Sequence, residues 1–225
     1  NEPESVPAMR QTAVTVLPTR TIYEFSQADV DVSLTFTTPA LPGDLMILSR
    51  PTTYVTCTAT SNSKRAHHIE FYFDAGGELA SNTLNQAVTG SRESFRNADA
   101  LQIGTVSQRI LKRAGDDVRI DWGYLYLAAD KESNASMAFG DPGRLKQAFL
   151  ESGSAAIRGQ AADFPVDAGQ VAAAVALTLG DVDAAAKPVS RYVLLAYDDL
   201  YSIEYMKSKL RPYWRKDGWE ASDLI

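Results

Sequence analysis

The side chains richest in chemistry are scarce here: two histidines and one cysteine in 225 residues. His67 and His68 are adjacent in a strand-like run. Successive strand side chains point to opposite faces, which is wrong for a shared metal ion. With Cys57 alone and no second, separated histidine, neither a Cys-His pair nor a metal cluster with usable ligand spacing can be assembled. A Ser-His-Asp triad through His68 would lack the Gly-X-Ser-X-Gly turn that presents a serine. Cys57 lies in Thr53-Tyr54-Val55-Thr56-Cys57-Thr58-Ala59-Thr60. Alternation places it with Val55 and Ala59 on an apolar face, as a buried, inert thiol. No phosphate loop of Walker or Rossmann spacing is present, and no cofactor is expected.

Carboxylates are the more plausible actors, since a pair of them would suit glycoside hydrolysis. The candidates are Asp116-Asp117, Asp121 and Asp198-Asp199. Asp116-Asp117 follows Gly115 in a turn, and Asp198-Asp199 stands where a helix start would want negative charge. Capping is therefore the expectation for both pairs. The run Val118 to Tyr126 sets Asp121 beside Trp122, Tyr124 and Tyr126, which could bind a sugar or another polar ligand. The competing reading is core packing, because these aromatics share parity with Val118 and Ile120. A basic cluster, Lys207, Lys209, Arg211, Arg215 and Lys216, has two readings as well. It could compensate a helix dipole or, with Tyr201, Tyr205, Tyr213, Trp214 and Trp219, dock on an acidic neighbouring domain. An exposed apolar patch rimmed by basic residues is expected near Arg211 to Trp219.

The elements that must position these residues show mostly period-2 alternation. Val30, Val32, Leu34 and Phe36 face one way and Asp29, Asp31, Ser33 and Thr35 the other. The pattern recurs at Ile69, Phe71 and Phe73 and at Val171 to Leu179, with further strands expected at Ala13–Leu17, Thr19–Phe25, Val118–Ala128 and Val189–Tyr197. Turn signals such as Pro42-Gly43-Asp44, Asn62-Ser63-Lys64, Gly76-Gly77 and Gly180-Asp181 separate them. Two segments break the pattern. Asp141-Pro142 starts a short helix ending near Gly153. Leu200, Ile203, Met206, Leu210 and Tyr213 or Trp214 recur at helical spacing, which predicts an amphipathic helix over about 199–214.

The expected fold is mostly β: an antiparallel β-sandwich or supersandwich with a short inserted helix and a C-terminal amphipathic helix. Residues 1–216 form one domain on this reading, and 217–225 begin a linker. The net charge of −6 argues against nucleic acid as a partner. The most apolar stretch, Val171 to Leu179, is too short to span a membrane.

Longer blocks carry a resemblance. They are Thr15 to Phe25, Leu34 to Pro39 with Ser49-Arg50-Pro51, Phe71 to Ala75, Ile120 to Tyr126, and Val189 to Tyr205. They resemble the N-terminal domain of the glutaminase A family, large and typically exported enzymes of fungi and gut bacteria. The resemblance implies a β-domain that precedes and packs on a C-terminal helical-toroid domain like those of glycoside hydrolases. The active site is expected there, and conversion of glutamine to glutamate and ammonia belongs to the whole enzyme. It further implies a secreted or periplasmic location and no catalytic residues on this domain. The candidate ligand or interface residues are then Asp121, Trp122, Tyr124, Tyr126, Asp198, Asp199, Tyr205, Arg211 and Trp214. A carbohydrate-binding or glycoside-hydrolase-associated β-sandwich module is the alternative. One departure is Gly90, where the family pattern has Trp.

Overall fold

The computed structural model describes residues 6–225 except 64, 114, 117–118, 153–161 and 184–186. Lys64, Asp117, Val118 and Gly153, each named in an expectation above, lie outside the described residues. In chain order the strands are β1 (Arg10–Leu17), β2 (Arg20–Gln27), β3 (Val30–Thr37), β4 (Thr52–Ser61), β5 (His67–Gly76), β6 (Ala87–Ser94) and β7 (Ala98–Thr105). There follow β8 (Tyr124–Asp130), β9 (Ser136–Gly140), β10 (Val166–Asp167), β11 (Ala172–Val182), β12 (Val189–Asp198), β13 (Ile203–Tyr205) and β14 (Ser208–Leu210). Three α-helices are described: α1 (Leu45–Leu48), α2 (Pro142–Ser152) and α3 (Ala221–Leu224). The fold is the expected mostly-β antiparallel arrangement, with one short inserted helix and one at the C-terminal end.

Nine strands form one sheet in the order β1-β2-β3-β4-β12-β8-β7-β6-β10, and β5-β11-β9 form a second. Their facing sides make the principal core. Leu101, Ile103, Leu125, Leu127 and Val193 from the large sheet meet Phe71, Phe73, Val175 and Leu177 from the small one. Each such side chain taken from water contributes about 1.5–3 kcal/mol. β11 is buried on both faces, because Ala172, Ala174 and Ala176 turn outward into a second cluster with Leu145 and Phe149 of α2. From Ala172 to Leu177 its sequence is therefore continuously apolar, as expected of a strand covered on both sides. Asp141 caps α2 by accepting from the Arg144 amide at 2.9 Å, and Pro142 stands in the first turn, where its missing N–H costs nothing. At one edge of the large sheet β1 is exposed, with Val14, Val16 and Leu17 open to solvent. A bulge interrupts its ladder between Gln11 and Ala13.

Two expectations need correction. The stretch read as one strand from Val118 to Ala128 enters the sheet only at Tyr124. Gly123 breaks it with φ +83°, a left-handed conformation, and a Cβ there would collide with the Asp198 backbone carbonyl. Asp121 and Trp122 therefore sit in the approach to the strand.

The amphipathic helix expected over 199–214 is a β-hairpin, β13 paired to β14 with Tyr205 opposite Ser208. Met206 and Lys207 both have positive φ, 47° and 68°. That is the signature of the two-residue type I′ turn, whose twist suits a hairpin. Leu200, at φ +59°, has already turned the chain out of helical conformation. The dipole account of the basic cluster lapses with that helix. The outer face of the large sheet, which such a helix could have covered, is occupied instead by the segment after the hairpin. There Trp214 and Leu224 are buried against Ala98, Ala100, Tyr126, Ala128, Leu194 and Ala196. Residues 217–225, expected to begin a linker, lie on this face through Trp219, Ala221, Leu224 and Ile225.

Candidate functional site

The start of β8 and the end of β12 lie side by side, with Asp198 paired to Tyr124. That register gathers Asp121, Trp122, Tyr124, Asp198 and Asp199 in one junction. Tyr197 Oη donates to the Trp122 carbonyl at 2.6 Å, and Trp122 Nε1 donates to the Tyr201 carbonyl at 3.1 Å. Burial, and then the charges of Asp199, Asp121 and Asp198, raise the Tyr197 phenol above its ordinary value.

Asp198 does not cap a helix. Its Oδ1 accepts from the Leu200 amide at 3.0 Å and from Arg215 Nε at 3.2 Å, and its Oδ2 accepts from Arg215 Nη2. Both partners are almost wholly buried, at 1% and 3% exposure. Arg215 also bonds the Trp219 carbonyl and Glu220, and its guanidinium stacks 4.5 Å over the Trp214 ring. Bidentate geometry with extra donors and acceptors is what makes a buried pair tolerable. The ion pair thus fastens the C-terminal segment to the sheet.

Asp121 is fully buried. Gln86 Nε2 donates to its Oδ2 at 3.0 Å and Arg113 Nε lies 3.6 Å from the same oxygen, while Oδ1 has no partner among the described residues. Asp199 accepts from Ser202 Oγ at 2.6 Å, and burial raises its carboxyl above the ordinary range. These carboxylates brace loops, and Asp121 is sealed from any ligand. Trp122 and Tyr126 are buried too, at 6% and 3% exposure, and burial pushes the Tyr126 phenol up to about 12. The core reading holds for both, and Tyr124 is half-buried beside them.

The remaining candidates separate. Tyr205 and Arg211 stand in solvent at the hairpin, and Arg211 pairs with Glu220 at 2.9 Å. Trp214 is fully buried, and Trp219 is partly covered by the Arg50 guanidinium at 4.8 Å. The exposed patch expected over Arg211 to Trp219 is therefore displaced. The solvent-facing apolar residues are Ile203, Tyr205, Met206, Leu210 and Tyr213, beside exposed Lys207 and Lys209.

Cys57 is buried with Val55 and Ala59, and burial raises its thiol to about 11. His68 pairs with Asp181 at 2.9 Å, whereas His67 stands 3.7 Å from Asp29, so the two rings have separate partners. Among the described residues no group of three or more His, Cys, Asp and Glu side chains could hold a metal ion. No described helix is long and apolar enough to cross a membrane. At Gly90 an added Cβ would lie 2.6 Å from Phe164 Cζ. The Phe164 ring, packed edge-on against Phe139 at 5.2 Å, fills the space a larger residue at position 90 would need.

Sequence reasoning missed a second surface. On the outer face beside the C-terminal segment is a depression of about 430 Å³, lined by Tyr54, Tyr192, Arg96, Asn97, Asp130 and Glu132 among others. The tyrosines lie on neighbouring strands with ring centroids 5.6 Å apart. Parity could have found them, since Tyr54 and Tyr192 alternate with buried Val55 and Val193.

Fold and site together define an antiparallel β-sandwich domain whose buried polar junction is structural and whose exposed hairpin and groove are its open surfaces. The chain belongs to the family described as a domain of unknown function, DUF5127, which matches residues 19–225. Comparison with curated proteins finds no match.

Proposed function

We propose that this chain is the non-catalytic accessory domain of a larger, exported glutaminase-type hydrolase, secreted or periplasmic, packing on and shaping a helical-toroid catalytic domain. The observation that carries this reading is the hairpin. β13 and β14 hold Ile203, Tyr205, Met206 and Leu210 in solvent, with Met206 80% exposed. Lys207 and Lys209 stand beside them on a chain whose net charge is −6. Apolar side chains interleaved with cations suit an acidic, partly apolar partner face. The hairpin's root is rigid, because Asp198 is locked to Arg215 and Trp122 holds the Tyr201 carbonyl. The resemblance of the blocks from Thr15 to Tyr205 to the glutaminase A family supplies the identity of that partner.

The test measures ammonia release from glutamine by this chain alone and by this chain joined to the helical-toroid domain it would serve. Turnover by the chain alone would sink the reading. Met206→Asp should leave the thermal midpoint of the chain unchanged while weakening its association with the separately prepared helical domain about tenfold or more. Undiminished association would remove the hairpin from the interface.

A glycan-binding module remains the second reading, although its first support is gone, since Asp121, Trp122 and Tyr126 are buried. The groove lined by Tyr54 and Tyr192 now favours it.

A further inference from the structure

The groove beside Tyr54 and Tyr192 differs from the hairpin in chemistry and location. Both tyrosines are exposed, at 37% and 40%, and they form a tilted pair on the central strands β4 and β12. Their hydroxyls have no hydrogen-bond partner among the described residues. Around them stand Arg96, Asn97 and Glu132, whose side chains are likewise free of described hydrogen bonds and ion pairs. Here a guanidinium, an amide and a carboxylate line one depression as exposed groups, open to water or to a ligand. A second depression of about 330 Å³, lined by Ser133, Ser190 and Arg191, shares Asp130, Glu132 and Tyr192 with the first. The two adjoin at these shared residues as one trough.

We infer that this trough is a binding site for an uncharged oligosaccharide. Sugar rings present an apolar C–H face that stacks on tyrosine, and vicinal hydroxyls that match the two-point geometry of guanidinium, amide and carboxylate groups. The first depression, at about 430 Å³, falls within the roughly 300–1,000 Å³ typical of small-ligand sites, and its extension accommodates a chain of rings. Charges of both signs line the trough, Arg96 and Arg191 against Asp130 and Glu132, so a polyanion gains nothing overall. A peptide is the weaker fit. β4, β12 and β8 are paired on both sides, so no free backbone edge is offered for strand addition.

This inference does not rest on the docking reading, and a separate variant tells the two apart. The experiment titrates the chain by calorimetry with short linear α- and β-1,4-glucans, xylans, mannans and chitin oligomers. Saturable heat is expected with at least one of them, at a dissociation constant of about 0.1–1 mM. Tyr192→Ala and Arg96→Ala should each weaken that binding about tenfold. Arg96 is exposed outside the strands, so Arg96→Ala should leave the thermal midpoint unchanged, whereas Tyr192→Ala, on a central strand and beside Tyr54, should lower it by a few degrees without loss of the fold. Met206→Asp should leave glycan affinity untouched whatever it does to docking. No heat with any glycan overturns the site, as does binding that survives both groove substitutions. Saturable binding of mixed-charge peptides where every glycan fails would reassign the trough to peptide.

Discussion

Between the two sheets, Leu101, Ile103, Leu127, Val175, Leu177 and Val193 are held by shape and burial alone. On the other side of the same nine strands, the C-terminal segment is held by a buried ion pair, a stacked guanidinium and one inserted tryptophan. The inner layer is redundant, because many side chains share the work and each loss is local. The outer layer is directional, and one guanidinium makes most of its polar contacts. Two coverings of one sheet thus fail differently, the first by degrees and the second when a single partner is lost.

The largest expected effect is at Arg215. Arg215→Ala leaves Asp198 charged and buried without its partner, and should cost about 4 kcal/mol in denaturant unfolding, with the Trp214 environment released first. The paired change Asp198→Leu with Arg215→Met should recover most of that loss, because apolar replacement of a buried pair is close to neutral. If the single change costs less than about 1 kcal/mol, the segment is not fastened in this way.

In the inner layer Leu177→Ala should cost about 3 kcal/mol through lost burial and a residual cavity. Its unfolding should be a single transition by every probe. A separate early release of the C-terminal segment in this variant would erase the contrast between the layers.

Next in size is Gly90→Ala, expected to cost about 2 kcal/mol by forcing a methyl against Phe164. A stabilised variant would mean that the ring yields freely.

The smallest effect is in the acid limb. Hydrogen bonds from Arg211 and then Arg215 hold the Glu220 carboxyl below its ordinary value of 4.5. Its contribution is therefore complete above that value and fades as the pH falls through the lower folded value. Asp199 runs the other way, since burial raises it above 3.8 and its contribution is lost as the pH rises through the folded value. Glu220→Gln should flatten the acid loss in stability measured from neutral pH downward, and Asp199→Asn should steepen it. Unchanged acid limbs in both would show that neither carboxylate is coupled to folding.

The inner layer was the legible one. Alternation at Val30 to Phe36 and at Ile69 to Phe73 marks β3 and β5, Cys57 sits on its expected face, and Asp141-Pro142 opens α2. β6 and β7 escaped because β6 follows Val88 on its inner face with Gly90 and Arg92, and β7 carries only Ala98 and Ala100 as apolar side chains on its outer face. Nothing in the sequence marks the alanines as covered by a distant tryptophan. The outer layer was misread for a related reason. Leu200, Ile203, Met206 and Leu210 fit a helical stripe, and a type I′ turn made of Met and Lys lacks the Asn-Gly signature of such hairpins. The decisive contact, Asp198 to Arg215, joins residues whose separation follows neither strand nor helix period. The trough was hidden because it is made by adjacency across four strands, which no local spacing reports.

The exposed strand β1 has a consequence for how the molecule behaves at high concentration. Among the described residues its outer side is an unpaired ladder of backbone donors and acceptors, flanked by Val14, Val16 and Leu17. The opposite end of the sheet is covered by the two-residue β10 over Ala87 and Val88, and beyond it β6 carries Arg92 and Glu93, charges that discourage a foreign strand. The bulge between Gln11 and Ala13 shortens the β1 template to the half nearer Leu17. Self-association through this sheet is therefore a matter of one short growing edge, and a lysine in place of Val16 would blunt it.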